Sequence, residues 1–312
     1  MRIVSAAEIR QALTYPALIA AIEEAFRAEI AVPVRHHHTI ARSGADATLL
    51  LMPAWNGGEG FLGCKLVTVF PDNAERGKPS VYGSYLLMSG ETGEPLAILD
   101  ARELTARRTA AASALAARYL AREEAEHLVM IGAGALSRHL VRAHAEVRPI
   151  KRVTLWNRSR GRAEALAVEL ASNGFDVAVT EDREAAVRMA DIVSCATLSP
   201  APLVEGVWLK QGAHVDLVGG YTPLMREADD NAIRRARVYV DTRAGALKEA
   251  GDVVDPIGRG VIGETDIQGD LFDLCRGTGA GRRTVDEITL FKSVGTAIED
   301  LAAAMLVWRR VA

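Results

Sequence analysis

A glycine-containing turn is the first place where the residue types and spacing of this sequence indicate chemistry. Residues 126–140 consist of an apolar run, Gly132-Ala-Gly134 and an amphipathic stretch, which predicts a strand, a tight turn and a helix. Gly132 and Gly134 would let a phosphate approach the backbone, where the amides that open a helix favour negative charge. The spacing predicts a dinucleotide pyrophosphate site, although Ser137 stands where a third glycine or alanine is usual. Taken alone, the motif is weak, and an ordinary glycine turn between a strand and a helix would be the better interpretation.

The end of the next predicted strand, Arg152–Trp156, should indicate which adenosine ribose is bound. An acidic residue there would bind the 2′-hydroxyl of NAD. Asn157 takes that position instead, and Arg158, Ser159 and Arg162 follow it with donors suited to a 2′-phosphate. The sequence therefore favours NADP(H), with NAD(H) as the other cofactor and a solvated basic loop as the alternative interpretation.

Lys65 lies in a predicted strand, where alternation puts it on the same face as the apolar residues Phe61, Val67 and Val69. A lysine is unusual on such an apolar face. Burial lowers the pKa of an ammonium and makes it useful for proton transfer near neutral pH, so we interpret Lys65 as functional. The alternative is a lysine on an edge strand whose ammonium reaches solvent.

Arginines supply the second group of candidates. Arg107 and Arg108 are adjacent on a helix rich in alanine, so one can face solvent while the other points inward. Arg35 opens the predicted sheet domain, and an inward guanidinium would bind a carboxylate at two points. Surface ion pairs are the alternative for each. The run His36–His38 predicts no metal site, because consecutive residues of an extended chain point in opposite directions.

The periodicity of the chain indicates which elements position these residues. Residues 15–30 have helical spacing, whereas residues 37–99 contain four runs with period two, which predict an antiparallel sheet of about five strands. A helix is expected from residue 100 to about residue 121. Beyond it, predicted strands at 152–156, 177–179, 192–196, 213–218 and 238–240 alternate with helices, as in a doubly wound parallel sheet. A strand at 288–291 leads into a final amphipathic helix.

These elements predict an α/β protein with two domains. A Rossmann-type doubly wound parallel sheet would occupy residues 122–289 and bind the dinucleotide. Residues 1–121 and 290–312 would form a discontinuous α+β domain for substrate binding and dimerisation, because the last helix is expected to return to the first sheet. A cleft between the domains would then hold the substrate.

Composition limits the function classes. The 312 residues are 49% hydrophobic and 25% charged, which is typical of a folded globular protein. The formal net charge is −3 and no lysine-arginine block occurs, so we expect a small-molecule ligand rather than nucleic acid or a membrane surface. The three cysteines are far apart in apolar contexts, and the N-terminus does not look like a signal peptide. We expect free thiols and a cytoplasmic location.

Together, these motifs resemble the ornithine cyclodeaminase/μ-crystallin family over nearly the whole length. The resemblance rests on Lys65, Arg108-Thr109, the glycine turn, Asn157-Arg-Ser159, Val218-Gly-Gly220 and Phe291-Lys-Ser-Val-Gly-Thr-Ala-Ile-Glu-Asp300. It implies a Rossmann domain, a dimerising sheet domain and a homodimer. By the same resemblance Arg35, Lys65 and Arg108 would bind substrate, and Glu249 is a further pocket candidate. The residues implied at the cofactor are Ser80, Ala135, Leu136, Asn157, Arg158, Ser159, Thr197, Val218 and Ser293.

The segment after the paired glycines bears on the activity. Cyclodeaminases of the family carry a catalytic aspartate there, whereas this chain has Tyr221, which cannot act as a carboxylate base but is a candidate for substrate binding. The Gly-Gly-aromatic-Thr-Pro pattern is most similar to members that reduce cyclic ketimines. The resemblance implies NADPH-dependent reduction of Δ1-pyrroline-2-carboxylate or Δ1-piperideine-2-carboxylate to L-proline or L-pipecolate, with Lys65 supplying the proton. The alternatives are an ornithine cyclodeaminase, an alanine dehydrogenase or a non-catalytic NADPH-binding protein.

Overall fold

A computed structural model describes residues 1–57 and 60–312 and divides the chain into two compact units. Unit 1 comprises Met1–Arg108 and Thr296–Ala312, and unit 2 comprises Thr109–Gly295. No helix within the described ranges combines the length and apolarity needed to cross a membrane.

The helices and strands are as follows. Up to residue 120 they are β1 (Arg2–Val4), α1 (Ala6–Ala12), α2 (Tyr15–Arg27), β2 (Ile30–Ala31), β3 (His36–Ile40), β4 (Ala47–Asn56), β5 (Phe61–Val69), β6 (Val81–Ser89), β7 (Pro95–Asp100) and α3 (Ala101–Leu120). The next are β8 (His127–Ile131), α4 (Ser137–Ala145), β9 (Arg152–Trp156), α5 (Arg160–Ala171), β10 (Asp176–Val179), α6 (Arg183–Met189), β11 (Ile192–Cys195) and β12 (His214–Leu217). The last are α7 (Asp230–Arg235), β13 (Ala236–Val240), α8 (Arg243–Glu249), α9 (Gly251–Gly258), β14 (Ile267–Asp270), α10 (Leu271–Arg276), β15 (Ile288–Lys292) and α11 (Ala297–Val311).

The sheet of unit 1 has seven strands in the order β1-β7-β6-β5-β4-β2, with β3 also paired to β4. The predicted antiparallel pairing is present along β4, β5, β6 and β7. The predicted antiparallel sheet of about five strands differs from the structure at its edges. Strand β1 pairs with β7 in parallel, and the short strands β2 and β3, which both pair with β4, bring the number of strands to seven. These additional strands are short, and their pairing brings together segments far apart in sequence.

One face of this sheet is covered by helices, since α11 packs against α2, β4 and β5. The alternation of the strands places Met52, Lys65 and Tyr85 in register on the covered face, where all three are buried. Leu66 and Tyr82 alternate to the opposite face, which is apolar and exposed. A half-buried sheet accounts for the period-two pattern of the sequence.

The sheet of unit 2 has eight parallel strands in the order β10-β9-β8-β11-β12-β15-β13-β14. From β8 the chain first builds outward through β9 and β10, and then returns to add β11 on the other side of β8. This reversal creates a switch point at the carboxyl ends of β8 and β11, where parallel α/β sheets bind their ligands. The fold class predicted from the sequence, an α/β protein with a Rossmann-type parallel sheet and a further α+β domain, is confirmed.

The unit boundaries differ from the predicted ones, which lay at 121/122 and 289/290. The second half of α3 bonds within unit 2, where Arg148 donates to the Arg118 carbonyl at 2.7 Å and Arg282 donates to the Leu120 carbonyl at 2.7 Å. Strand β15 lies between β12 and β13 of the parallel sheet. Unit 2 therefore includes residues 109–121 and 290–295, which the sequence had suggested for the other domain.

Candidate functional site

A cavity of about 550 Å³ opens at the switch point of the parallel sheet in unit 2. Its walls are the segments that follow the carboxyl ends of β8, β9, β11 and β12. The lining residues are Gly132, Ala133, Gly134, Ala135, Leu136, Trp156, Asn157, Arg158, Arg162, Ala196, Thr197, Leu198, Ser199, Pro200, Leu203, Val218, Gly219 and Tyr221.

The glycine turn has the geometry that a pyrophosphate needs. Gly132 has a φ of 109°, and a Cβ there would lie 2.7 Å from the Ala196 carbonyl oxygen, so both conformation and space require glycine. A Cβ on Gly134 would point into open space. The amides of Ala135 and Leu136 have no protein acceptor among residues 1–57 and 60–312, and both residues line the cavity. The turn therefore fits a bound phosphate group.

Ser137 explains how the motif tolerates a serine at its third position. The buried hydroxyl donates to the Gly132 carbonyl oxygen at 2.9 Å and accepts from the Gly134 amide at 3.1 Å. Helix and strand do approach closely here, but a hydrogen-bonded hydroxyl fills the space that a glycine would leave. The serine closes the turn rather than disrupting it.

Asn157 and the arginines after β9 have different functions in the structure. Asn157 accepts from the Ala133 amide at 3.2 Å and donates to the Ser159 carbonyl at 2.8 Å, so it fastens the β9 loop to the glycine turn. Arg158 and Arg162 line the cavity and are exposed. Ser159 itself is exposed and precedes α5. This end of the cavity is thus lined by two cations and no carboxylate.

The opposite end of the cavity is formed by the segments after β11 and β12. Thr197, Val218 and Tyr221 line it, as the resemblance implied for the first two. Ser293 follows β15 and donates its amide to the Leu217 carbonyl at 3.1 Å, so it lies beside Val218 at the same sheet edge. Residues predicted from the sequence to contact the cofactor thus lie at both ends of the cavity.

Unit 1 contains a compact group of buried charges on the covered face of its sheet. The Lys65 ammonium lies 2.8 Å from Asp300 Oδ2, and Arg108 Nε donates to Asp300 Oδ1 at 2.9 Å. Arg108 also pairs with Glu299. Lys65 is 2% exposed, Arg108 is 4% exposed and Asp300 is fully buried. One carboxylate therefore holds a lysine and an arginine side by side.

The environment of Lys65 shifts its proton affinity into a useful range. Burial, followed by the charge of Arg108, lowers the pKa of Lys65 to about 8, while Asp300 opposes the shift and the charge of Arg35 adds to it. An ammonium with such a pKa releases and recovers a proton near neutral pH.

The remaining candidates are distributed as follows. Arg107 pairs with Glu103 at 2.7 Å and donates to the Leu13 carbonyl, so of the two adjacent arginines Arg108 is the one beside Lys65. Ser80 lies in unit 1, where its carbonyl accepts from the Phe70 amide at 2.7 Å, and is thus not part of the cavity wall in unit 2. Glu249 is buried at the end of α8. Within the described residues no group of three or more histidine, cysteine or acidic side chains is arranged to hold a metal ion.

Several buried charged residues were not predicted from the sequence to belong to a site. Glu299 and Asp300 occupy the first turn of α11, where acids are usual because they complement the helix dipole. The signal available in the sequence was the spacing of Asp300, Ala304 and Val307, which puts the acid on the same helix face as residues that are buried. Lys292 continues an apolar strand, the same anomaly that identified Lys65, and it is fully buried with Asp252 and Glu227.

The fold and the cavity define a dinucleotide-binding α/β protein of the Rossmann type, with a second unit that carries buried cations. The chain belongs to the ornithine cyclodeaminase/mu-crystallin family, which it matches over residues 1–312. The family predicted from the sequence motifs is therefore confirmed. A protein of Colwellia psychrerythraea named Delta(1)-pyrroline-2-carboxylate reductase is 39% identical over 319 residues, covering the full length of both chains.

Solved structures of similar proteins cover almost the whole chain. Thermococcus litoralis Delta(1)-pyrroline-2-carboxylate reductase in complex with NADH and L-proline has a TM-score of 0.93 and 33% identity, covering 99% of this chain and 97% of its own. An archaeal alanine dehydrogenase dimer with bound NAD has a TM-score of 0.91 and 30% identity, covering 99% of this chain and 95% of its own.

Proposed function

We propose that this protein reduces the C=N bond of a cyclic ketimine carboxylate, with Δ1-pyrroline-2-carboxylate or Δ1-piperideine-2-carboxylate as substrate and L-proline or L-pipecolate as product. The observation that carries the proposal is the full-length similarity to relatives named Delta(1)-pyrroline-2-carboxylate reductase, one of them solved with NADH and L-proline. The buried group of Lys65, Arg108 and Asp300 supports it, because reduction of such an imine requires a bound carboxylate and a proton donor.

The charges of unit 1 fit these two requirements. Arg35 and Arg108 would hold the substrate carboxylate. The positive charges of Arg35, Lys65 and Arg108 favour a negatively charged ligand. Lys65 would donate a proton to the ring nitrogen, since a protonated imine accepts hydride more readily. Asp300 fixes the Lys65 ammonium and the Arg108 guanidinium relative to each other. Fixed positions remove the entropic cost of aligning the donor with the substrate.

The cofactor proposed for the cavity is a nicotinamide dinucleotide, with NADP(H) preferred over NAD(H). When bound, it would supply the hydride. Arg158 and Arg162 would contact the 2′-phosphate, and the Ala135 and Leu136 amides would bind the pyrophosphate. The preference for NADP(H) rests on those two arginines and on the presence of Asn157 where an acid would bind NAD. The solved relatives carry NADH or NAD and do not contribute to this preference.

A substrate panel tests the proposal. The purified protein is mixed with NADPH or NADH and either one of the two cyclic imines or pyruvate with ammonia. In a separate reaction it is mixed with NADP⁺ or NAD⁺ and ornithine, because cyclodeamination must first oxidise the amino acid. Loss of reduced nicotinamide absorbance and the amino acid product are followed. We expect oxidation of the cofactor with the imines. Oxidation of the cofactor only with pyruvate and ammonia would identify an alanine dehydrogenase. Release of ammonia from ornithine would identify a cyclodeaminase, and cofactor binding without turnover would identify a binding protein.

We also propose a homodimer formed through the exposed face of the unit 1 sheet. Alternation along β4, β5 and β6 places Trp55, Leu66 and Tyr82 on this face, and Leu66 is 40% exposed. A contiguous apolar face of this kind is typical of an interface. A second copy of the chain is the proposed occupant, supported by the dimeric alanine dehydrogenase among the similar structures.

A further inference from the structure

Beneath the cavity of unit 2 lies a fully buried triad of charges, Glu227, Asp252 and Lys292. The Lys292 ammonium is 3.0 Å from Asp252 Oδ2 and 4.0 Å from Glu227 Oε2. Asp252 Oδ1 accepts from the Glu227 amide at 2.7 Å and from the Ala228 amide at 3.0 Å. The lysine at the end of β15 therefore holds Asp252, and Asp252 holds the backbone that carries Glu227.

The Glu227 carboxylate connects this triad to two walls of the cavity. Oε1 accepts from the Thr197 amide at 2.7 Å and from the Thr197 hydroxyl at 2.8 Å, and Oε2 accepts from the Gly219 amide at 2.7 Å. Thr197 follows β11, Gly219 follows β12, and both line the cavity. A single side chain thus joins the ends of two neighbouring strands.

The two walls are closely packed against each other and against the triad. A Cβ on Gly219 would lie 1.9 Å from the Thr197 carbonyl oxygen, and one on Gly220 would lie 3.2 Å from both Lys292 Nζ and Asp252 Oδ2. Close packing against the β11 loop therefore requires a glycine at position 219, and Gly220 packs tightly against the triad. Any displacement of the Glu227 carboxylate would be passed directly to Thr197 and Gly219.

The triad also carries an unbalanced charge, since two carboxylates face one ammonium. Burial raises the pKa of Glu227 and the charge of Lys292 opposes this shift, while Asp252 raises the pKa and the hydrogen bonds from Thr197 lower it. Backbone amides donate to both carboxylate oxygens, which favours the ionised form of Glu227. Burying such a group is costly, and replacement of buried ion pairs by apolar residues is often stabilising. Fold stability alone therefore does not account for the triad.

The strand order indicates which part of a dinucleotide would meet this charge. Strand β9, whose loop carries Arg158, lies on one side of β8, while β11 and β12 lie on the other. A dinucleotide with its adenosine at the β9 loop and its pyrophosphate at the β8 turn has its nicotinamide at the ends of β11 and β12. The oxidised nicotinamide ring is cationic, whereas the reduced ring is neutral.

We propose that Glu227 is a positioning residue that fixes Thr197 and Gly219 at the nicotinamide end of the cavity, and that its buried negative charge favours the oxidised cofactor over the reduced one. This inference rests on the proposed function, because it presumes a nicotinamide dinucleotide. By stabilising the product form of the cofactor, the triad would make hydride donation more favourable without touching the substrate.

The test compares NADP⁺ and NADPH binding by calorimetry, without turnover. Glu227→Gln removes the charge, and its amide cannot accept from both Thr197 and Gly219, so both forms should bind more weakly. NADP⁺ should lose on the order of tenfold more affinity than NADPH, the effect of one charge within about 10 Å in a medium of effective dielectric near 20. Glu205→Gln makes the same chemical change at an exposed position and is the control.

Glu227→Asp separates charge from position and also serves if the glutamine variant does not fold. It keeps the charge but retracts the carboxylate, so both forms should weaken while their affinity ratio stays that of the wild type. An altered ratio in Glu227→Asp, or an unaltered ratio in a folded Glu227→Gln, overturns the inference. If the wild-type protein binds neither NADP⁺ nor NADPH, the proposed function is overturned. If the wild type binds both and Glu227→Gln leaves their affinity ratio unaltered, only the inference about Glu227 is overturned.

Discussion

Replacement of Asp300 by asparagine would test whether the buried carboxylate controls the proton of Lys65. Asp300 lies 2.8 Å from the Lys65 ammonium and also accepts from Arg108. Asparagine keeps the size and the carbonyl oxygen but removes the charge. The Lys65 ammonium would then face the positive charges of Arg108 and Arg35 with its nearest carboxylate gone, which disfavours the protonated form.

The magnitude follows from the pKa of Lys65. At a pKa of about 8, roughly nine-tenths of the Lys65 side chains are protonated at pH 7. An opposite charge within about 4–6 Å changes a pKa by roughly one to three pH units. If the loss of Asp300 lowers the pKa of Lys65 by about two units, the middle of that range, about one-tenth of the Lys65 side chains remain protonated at pH 7. If Lys65 donates the proton during imine reduction, turnover at pH 7 should fall about tenfold and recover at lower pH.

The assay is the pH dependence of kcat for reduction of Δ1-pyrroline-2-carboxylate. In the wild type, kcat should decline above about pH 8 as Lys65 loses its proton, and in Asp300→Asn this decline should begin at lower pH. Glu103→Gln is the matched control, since it removes a carboxylate that pairs with Arg10 and Arg107. Thermal unfolding is measured in parallel, because removing one partner of a buried ion pair costs up to about 3–5 kcal/mol. An alkaline limb that stays at the wild-type pH in a folded Asp300→Asn would refute this reasoning.

Three further predictions concern the proton donor, the cofactor and the oligomer. Lys65→Met should reduce turnover by at least a hundredfold, the usual contribution of a general acid, with unchanged NADPH affinity in calorimetry; near-normal turnover would remove Lys65 from the mechanism. Arg158→Ala should weaken NADPH binding roughly ten- to a hundredfold through loss of a charge-assisted hydrogen bond, with little effect on NADH. Arg160→Ala, which removes surface ion pairs with Glu164 and Glu181, should affect the binding of neither cofactor. Leu66→Glu should convert the dimer to a monomer in light scattering, and Val168→Glu, an exposed position of unit 2, should not; a dimer in both variants would contradict the proposed interface.

The architecture was largely predictable because each sheet has a distinct periodicity. The half-buried sheet of unit 1 alternates, and the buried parallel strands of unit 2 are short apolar runs separated by helices. What the sequence did not reveal depends on long-range pairing. Strand β1 is three residues long and pairs with β7, nearly a hundred residues later, and a three-residue run has no readable period.

Candidate site residues were predictable where a residue type conflicted with its local pattern. Lys65 on an apolar strand face and Arg108 among alanines met that condition. Asp300 and Glu227 did not, because acids near helix ends and in polar loops are common on protein surfaces. Their burial is a property of the assembled units, since the partners of Glu227 come from segments up to 65 residues away along the chain, from Thr197 to Lys292.

The attachment of Asn157 to the glycine turn separates two tasks that lie only one residue apart. Asn157 maintains the shape of the loop through Ala133 and Ser159, while the side chains of Arg158 and Arg162 present charge to the cavity. Either arginine can therefore be exchanged during evolution or redesign without rebuilding the turn. Coenzyme preference in this protein should drift easily between relatives, whereas the scaffold that holds any coenzyme should resist change.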